Sequence, residues 1–245
     1  MNILSEVQGH FQGTLPSRIG VALSGGGDSV ALLHLLVTWF QSQGVEVLAA
    51  TVDHGLRDGS AQEAQLVAEM AAGLGVDHEI LRWDDWDGKG NLQDQARRAR
   101  YRLLGDWAKR RHIPILALGH TADDQAETVL MRLARSAGVD GLAAMPVRRD
   151  LNGIILLRPL LKVTRAQLRS YLTANNLTWV EDPSNQDRRF ERVRLRQAMK
   201  DLEPLGLTIE TLTAVAENMA RAKEALDHAV LLSARELTNT IYGAV

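Results

Sequence analysis

Short apolar runs alternate with longer amphipathic stretches through the first two-thirds of the chain. Residues 19–23 form a brief apolar run that ends at a glycine cluster, the pattern of a buried strand. Residues 29–40 carry apolar side chains at helical spacing and close near Gly44. Residues 45–52 are apolar and β-branched, predicting a second strand. A helix follows from Ser60, with Ser60 and Glu63 spaced as a capping box, and ends near residues 73–75. Residues 78–83 read as a third strand, 91–111 as a long polar helix, 115–118 as a fourth strand, and 122–134 as a helix capped by Thr121. Strands separated by helices of this length predict an α/β fold with a doubly wound, mostly parallel sheet.

After Gly138 the pattern changes. Short strands near Val147 and at 154–157 lead to Pro159 and a helix from Thr164 to about Ala174. Residues 175–189 are a polar loop, 191–201 a basic helix, and 208–237 a long Ala/Leu/Glu-rich helix beyond Pro204 and Gly206. This predicts a main α/β domain at 1–205 and a small helical subdomain or linker at 206–245.

Composition narrows the class. Of 245 residues, 45% are apolar and 24% charged, as in an ordinary globular protein. The longest apolar runs, 30–36 and 154–157, are far too short to span a membrane. The N-terminal residues have no basic flank or long apolar core, so no signal peptide is expected. The absence of cysteine excludes disulfides, thiolate zinc sites and thiol chemistry. A cytoplasmic location is the expectation. The net charge of −2 announces no nucleic-acid binder, but it conceals clusters. Acids gather at 84–87 and 123–124, and bases at 97–102, 109–111 and 188–196. A basic face is where a polyanion would dock.

In doubly wound sheets ligands bind at the carboxyl ends of the strands. The most unusual polar residues lie there: 24–29, Asp53-His54 and 119–124. The segment Ser24-Gly25-Gly26-Gly27-Asp28-Ser29 joins a strand to a helix start, a geometry that binds phosphate. No lysine follows the glycines, so this is not a Walker A loop. A dinucleotide fingerprint would need a small residue where Val30 stands, although Asp53 occupies the place of a ribose-binding acid. A dehydrogenase therefore stays as a rival. The Ser-Gly-Gly-x-Asp-Ser pattern is matched at every fixed position, and the loop resembles that of the N-type ATP pyrophosphatases. Ser24 and Ser29 offer hydroxyls to phosphate, and glycines allow close backbone approach. Asp28, an acid in a phosphate site, calls for a Mg²⁺ between the two. The plain alternative is a glycine-rich turn capped by Asp28.

A second cluster, Gly119-His120-Thr121-Ala122-Asp123-Asp124-Gln125-Ala126-Glu127-Thr128, opens the helix after the fourth strand. Asp123 and Glu127 are four apart and Asp124 and Glu127 three apart, so the acids share a face. Acids in a first turn also complement the helix dipole, and Thr121 with Asp124 is spaced as a capping box. A metal site at His120 and the two aspartates is a lesser option.

Together with Val52-Asp53-His54-Gly55-Leu56-Arg57, Ala96-Arg97-Arg98-Ala99-Arg100-Tyr101, Asp182-Pro183-Ser184-Asn185 and Phe190-Glu191-Arg192-Val193-Arg194, that cluster resembles the tRNA(Ile)-lysidine synthetases, from about Ile19 to Arg196. The resemblance implies an ATP-dependent ligase of the PP-loop superfamily. Such an enzyme adenylates the wobble cytidine of tRNA(Ile) and joins free L-lysine to it, releasing AMP and pyrophosphate. It implies that Ser24–Ser29 and Asp53 bind ATP, that Asp28 holds Mg²⁺, and that Asp124 and Glu127 hold the lysine ammonium beside His120 and Asp123. Arg97 would stabilise charge during catalysis, and Arg100 and Arg102 would contact the tRNA. The basic residues of 188–200, with Arg188, Arg192 and Arg196 on one stripe and Arg194 beside them, also point to phosphate contact. The ordinary alternative is a solvated helix face. Trp83, Trp86 and Trp107 are candidates to stack a base or to fill a core.

Longer members of that family carry further C-terminal domains, so the chain is expected to be a short form or a catalytic-domain fragment. Its oligomeric state stays open, a homodimer included. A tRNA thiolase or an amidotransferase-type synthetase is a rival, weakened by the missing cysteine and the missing glutaminase domain. A non-catalytic AMP- or tRNA-binding module is the rival of another class.

Overall fold

The computed structural model describes residues 2–11, 13, 15–56, 59–86, 88–181 and 191–238. These fall into two compact units, Met1–Thr121 with Val147–Gln186, and Ala122–Pro146 with Asp187–Val245.

In the first unit the chain runs α1 (Ile3–Gly9), β1 (Arg18–Ala22), α2 (Gly27–Phe40), β2 (Glu46–Asp53), α3 (Ser60–Gly73), β3 (Asp77–Arg82), α4 (Leu92–Arg110) and β4 (Ile115–Leu118). After the second unit's α5 (Ala122–Leu133) and α6 (Val139–Leu142), it resumes with β5 (Arg148–Leu151), β6 (Ile154–Leu157) and α7 (Arg165–Ala174). The six strands described form one sheet in the order β3-β2-β1-β4-β6-β5. All neighbours are parallel except β5 and β6, an antiparallel hairpin. Asn152 and Gly153 join that hairpin with φ of 53° and 88°, the double positive φ of a two-residue turn. The doubly wound α/β expectation holds, with β5 as its antiparallel member.

Successive strand residues point to opposite faces, and both faces are covered. Ile19, Val21 and Ala49 pack with α2, α3 and α7 residues on one side. Leu48, Ala50, Leu116 and Leu156 pack with Leu104 and Trp107 of α4 on the other. Gly20 lies on the α4 side, where a Cβ would stand 2.8 Å from the Trp107 ring. α2 is apolar over most of its surface because it is buried over most of it, with Val30, Ala31, Leu32, Leu33, Leu35 and Leu36 all buried and only His34 among them partly exposed. Beneath the carboxyl edge, the buried Thr51 hydroxyl donates to the Leu23 carbonyl at 2.7 Å and so accepts from His78 Nε2, also at 2.7 Å.

Two helix starts differ from their expected chemistry. Ser60 is the first residue of α3 rather than its cap. Gly59 takes the cap position with φ 92°, and no side chain caps the helix. The reciprocal capping box stands instead on α7, where Thr164 and Gln167 exchange bonds.

In the second unit α5 and α6 pack with α8 (Glu191–Leu202), a 3-10 turn (Glu203–Leu205) and α9 (Ile209–Thr238). Ala126, Val129 and Leu130 of α5 meet Leu212 and Ala216 of α9, with Leu195 and Met199 of α8 beside them. No described helix is long and apolar enough to cross a membrane.

Candidate active site

The strand order reverses between β1 and β4, which makes the carboxyl ends of these two strands the switch point of the sheet. Residues 24–29 leave β1 at this point, and Gly119–Thr121 leave β4. Gly119 sits so close to the start of α2 that a Cβ would lie 3.0 Å from the Asp28 carbonyl oxygen.

The loop is held by its own serines. Buried Ser29 donates its hydroxyl to the Gly26 carbonyl at 2.9 Å and accepts from the Ser24 N–H at 3.1 Å. The Ser24 hydroxyl, 3.1 Å away, therefore donates to Ser29 Oγ. Gly25 has φ +80°, and a Cβ there would stand 2.5 Å from Val67. Its carbonyl accepts from the Val180 N–H at 2.9 Å, which ties the loop to the segment after α7. Gly27 leaves space for Leu172 and Trp179. Gly26 caps α2 without a side chain, so the first-turn N–H groups face no capping oxygen from it.

Asp28 is half-buried, and its Oδ2 lies 3.3 Å from Arg165 Nε. The sequence reading missed Arg165. It is the first residue of α7, where a cation opposes the helix dipole, and that misfit is the signal that could have found it. Asp53 ends β2 and accepts the Gly55 N–H at 3.0 Å, an Asx turn that shapes the loop beyond it.

Tyr101 of α4 gathers three arginines. Arg97 lies over its ring at 5.2 Å and donates to its hydroxyl at 3.4 Å, and Arg149 lies over the ring at 5.8 Å. Arg158, which follows β6, is 2% exposed. Burial lowers its pKa, the bond to Tyr101 opposes that, and Arg149 and Arg97 add to it. The sequence reading also passed over Arg149 and Arg158, which stand outside the basic clusters. Arg100 is exposed on α4, while Arg102 pairs with Asp85 at 2.5 Å. Trp107 and Trp83 are buried, and Trp86, which lies beside Trp83 just beyond β3, is exposed.

His120 follows β4, half-buried, and Thr121 is fully buried. The acids belong to α5 in the second unit. Asp123 is half-buried, Asp124 is 7% exposed and Glu127 is 0% exposed. Glu127 Oε1 accepts from Arg196 Nε at 2.6 Å, and Asp124 Oδ1 lies 3.9 Å from an Arg192 nitrogen. The α8 stripe thus meets the α5 acids, while Arg194 is exposed. Gln125 clamps the following turn with both ends of its amide, at 2.9 Å to the Met145 N–H and 2.9 Å to its carbonyl. Arg57, the motif Asp182-Pro183-Ser184-Asn185, Arg188 and Phe190 lie outside the described residues.

Asp28 is the acid that would hold a divalent cation. No group of three or more His, Cys, Asp or Glu able to bind a metal occurs among the described residues. A lone carboxylate beside a phosphate loop fits Mg²⁺, which binds through one or two carboxylates together with substrate phosphates and water.

Among curated proteins, the tRNA(Ile)-lysidine synthase of Ruegeria pomeroyi is 56% identical over 244 residues, covering 100% of this chain and 58% of that protein. The protein of the same name from Wolbachia pipientis is 40% identical over 225 residues, 91% of this chain and 52% of that one. The chain therefore spans little more than half the length of these relatives. Among solved structures, the U34-tRNA thiolase NcsA of Methanococcus maripaludis with its 4Fe-4S cluster aligns with a TM-score of 0.76 at 17% identity, over 91% of this chain and 78% of that one. That likeness is one of fold. The PP-loop domain family matches residues 2–203, from α1 through the whole sheet and into the helices beyond it, and the chain belongs to that family.

Proposed function

We propose that this chain is an ATP-dependent ligase that adenylates the wobble cytidine of tRNA(Ile) and joins L-lysine to it. Residues 1–205 would be the catalytic portion and 206–245 a helical extension. The observation that carries the reading is the serine-locked loop at the uncapped start of α2, at the sheet's switch point. The relatives' shared name supplies the substrate class.

In this mechanism the N–H groups of 25–28 receive the phosphates of ATP, the Ser24 and Ser29 hydroxyls turn to them from their bonds within the loop, and Asp53 lies near the sugar. Asp28 would hold Mg²⁺, which supplies charge neutralisation on the phosphates. The cytidine carbonyl oxygen attacks the α-phosphorus, and the bond to pyrophosphate breaks. Arg97 offers positive charge to the transferred group. The lysine amine then attacks the activated ring carbon, the carbon–oxygen bond breaks, and AMP leaves.

Asp124 and Glu127 receive the lysine ammonium. They already hold guanidinium groups from α8, so they are built to face a cation. The attacking amine gives its proton to His120 or to a carboxylate such as Asp123. Arg100, Arg102, Arg188, Arg192, Arg194 and Arg196 remain the residues proposed to contact tRNA. Of these, Arg192 and Arg196 have the α5 acids as their first partners.

The test is pyrophosphate release by the purified chain with tRNA(Ile) bearing a wobble cytidine and each amino acid in turn. Stimulation by lysine alone is expected. Absent release, or equal stimulation by glutamine and ammonia, overturns the proposal. Asp124→Asn should bind ATP normally and lose the response to lysine.

A further inference from the structure

We propose that residues 179–181 act as a strap outside the 24–29 loop, in which Trp179, held by Arg169, positions Val180, and Val180 aims the Gly26 N–H at the nucleotide. The proposal rests on the reading of that loop as the phosphate site. It adds positioning residues, Trp179 and Arg169, that the reading leaves out.

Gly25, Gly26 and Gly27 have no side chains to fix their peptide planes, so the planes must be set from elsewhere. Gly25 has φ +80°, and its carbonyl accepts from the Val180 N–H at 2.9 Å. The peptide joining Gly25 to Gly26 is trans, so its carbonyl and its N–H point in opposite directions. A carbonyl turned to Val180 therefore turns the Gly26 N–H away from the strap. Among the described residues no backbone carbonyl accepts that N–H. A donor left open in a glycine loop at a sheet's switch point is one kept for an anion.

Val180 is itself held from behind. Its two neighbours both meet Arg169 of α7, whose guanidinium lies over the Trp179 ring at 4.6 Å and whose Nη1 donates to Glu181 Oε1 at 3.0 Å. Val180 faces the loop between them, with Cγ2 3.4 Å from where a Gly25 Cβ would stand. The clamp also touches the loop directly. A Cβ on Gly27 would lie 3.6 Å from Trp179 Cγ, 3.6 Å from Arg169 Nε and 3.2 Å from Leu172 Cδ1. The Arg169 and Glu181 side chains are 46% and 72% exposed, so water screens that pair. The stack on half-buried Trp179 is the firmer hold, because a guanidinium over an indole face keeps both side chains in place.

The experiment measures binding of α,β-methylene ATP with Mg²⁺ to the full chain by calorimetry, and amide hydrogen exchange by NMR. In the parent, bound nucleotide should slow exchange of the Val180 N–H. A phosphate on the Gly26 N–H makes the carbonyl of the same peptide a stronger acceptor. Trp179→Ala should weaken nucleotide binding about tenfold, roughly one hydrogen bond's worth, and Arg169→Ala about threefold. Trp179→Phe keeps a ring under Arg169 and should recover most of the affinity. The KM for lysine in pyrophosphate release should match the parent's in all three, a split that general loss of structure does not produce. If Trp179→Ala misfolds, Arg169→Ala and the Val180 exchange of the parent give the same answer. Unchanged nucleotide affinity in the two alanine variants overturns the proposal, as does Val180 exchange that bound nucleotide leaves unaltered. Either result leaves the phosphate site standing. A parent that binds no nucleotide overturns the reading of the loop and the strap with it.

Discussion

The 24–29 loop and the acids of α5 handle charge in opposite ways. The loop relies on backbone, on two neutral hydroxyls bonded to each other, and on one carboxylate met by Arg165. The α5 site relies on buried carboxylates, and what meets them is a pair of arginines one helical turn apart on α8. The first is fixed by sterics. The second is fixed by charge pairing across about seventy residues of chain, Glu127 to Arg196. A loop of this kind is intolerant of any added atom, whereas a charge pair is intolerant of losing its partner.

The largest effect expected from this contrast is Gly25→Ala. An L-residue at φ +80° is strained, and the new Cβ would meet Val67 at 2.5 Å. Pyrophosphate release should fall by more than about 100-fold, because small misplacements of reacting groups are that costly. Adding Val67→Ala relieves the clash but not the backbone strain, so activity should return only in part. Full recovery in the double variant would assign the effect to packing.

Next is Arg196→Ala, which leaves the fully buried Glu127 carboxylate without its 2.6 Å partner. Breaking a buried pair from one side costs about 3–5 kcal/mol. The half-exposed position of Arg196 puts the expectation near the lower end, read as a drop in the denaturation midpoint. Arg196→Lys should recover part of it. An Arg196→Ala variant as stable as the parent would show that the carboxylate is satisfied without α8.

This contrast also explains what the sequence made legible. The strands, the glycine loop and the helix starting at Ala122 are set by local pattern and by φ, and the structure has them within a residue or two. The pairing of Arg192 and Arg196 with the acids was not legible. A basic stripe looks the same whether it faces phosphate or carboxylate, and only tertiary packing decides. Arg165 and Arg158 were missed for a related reason. Each is a lone arginine, and its meaning comes from what lies beside it, Asp28 in one case and Tyr101 in the other. The apparent capping box at Ser60 failed because Gly59 moves the helix start by one residue.

A smaller effect is expected at Arg165. Its guanidinium competes with any divalent cation for Asp28. Arg165→Gln should therefore lower the Mg²⁺ concentration for half-maximal pyrophosphate release, by roughly threefold for a partly exposed pair worth under about 1 kcal/mol. A raised Mg²⁺ requirement would mean that Arg165 helps to place the nucleotide instead. His54 gives a pH signature of its own. Its pKa falls from 6.5 to about 4 on folding. Between those values the unfolded chain binds more protons than the folded one, so stability falls as the pH drops through this window. His54→Phe should flatten that part of the profile, as followed by thermal unfolding from pH 7 to pH 4.

The smallest effect should come from Arg102. Its pair with Asp85 spans 2.5 Å, yet the two side chains are 49% and 61% exposed. Water screens such a pair, and Arg102→Ala should change stability by no more than about 0.5 kcal/mol. If Arg102 contacts RNA phosphate, the same variant should reduce the slope of log affinity against log salt by about one. An unchanged slope would make Arg102 a surface ion pair and nothing more. The outcome bears on the opening contrast, because exposed charge neither strains a loop nor requires a partner. On such a surface only a bound polyanion can give a single arginine a measurable role.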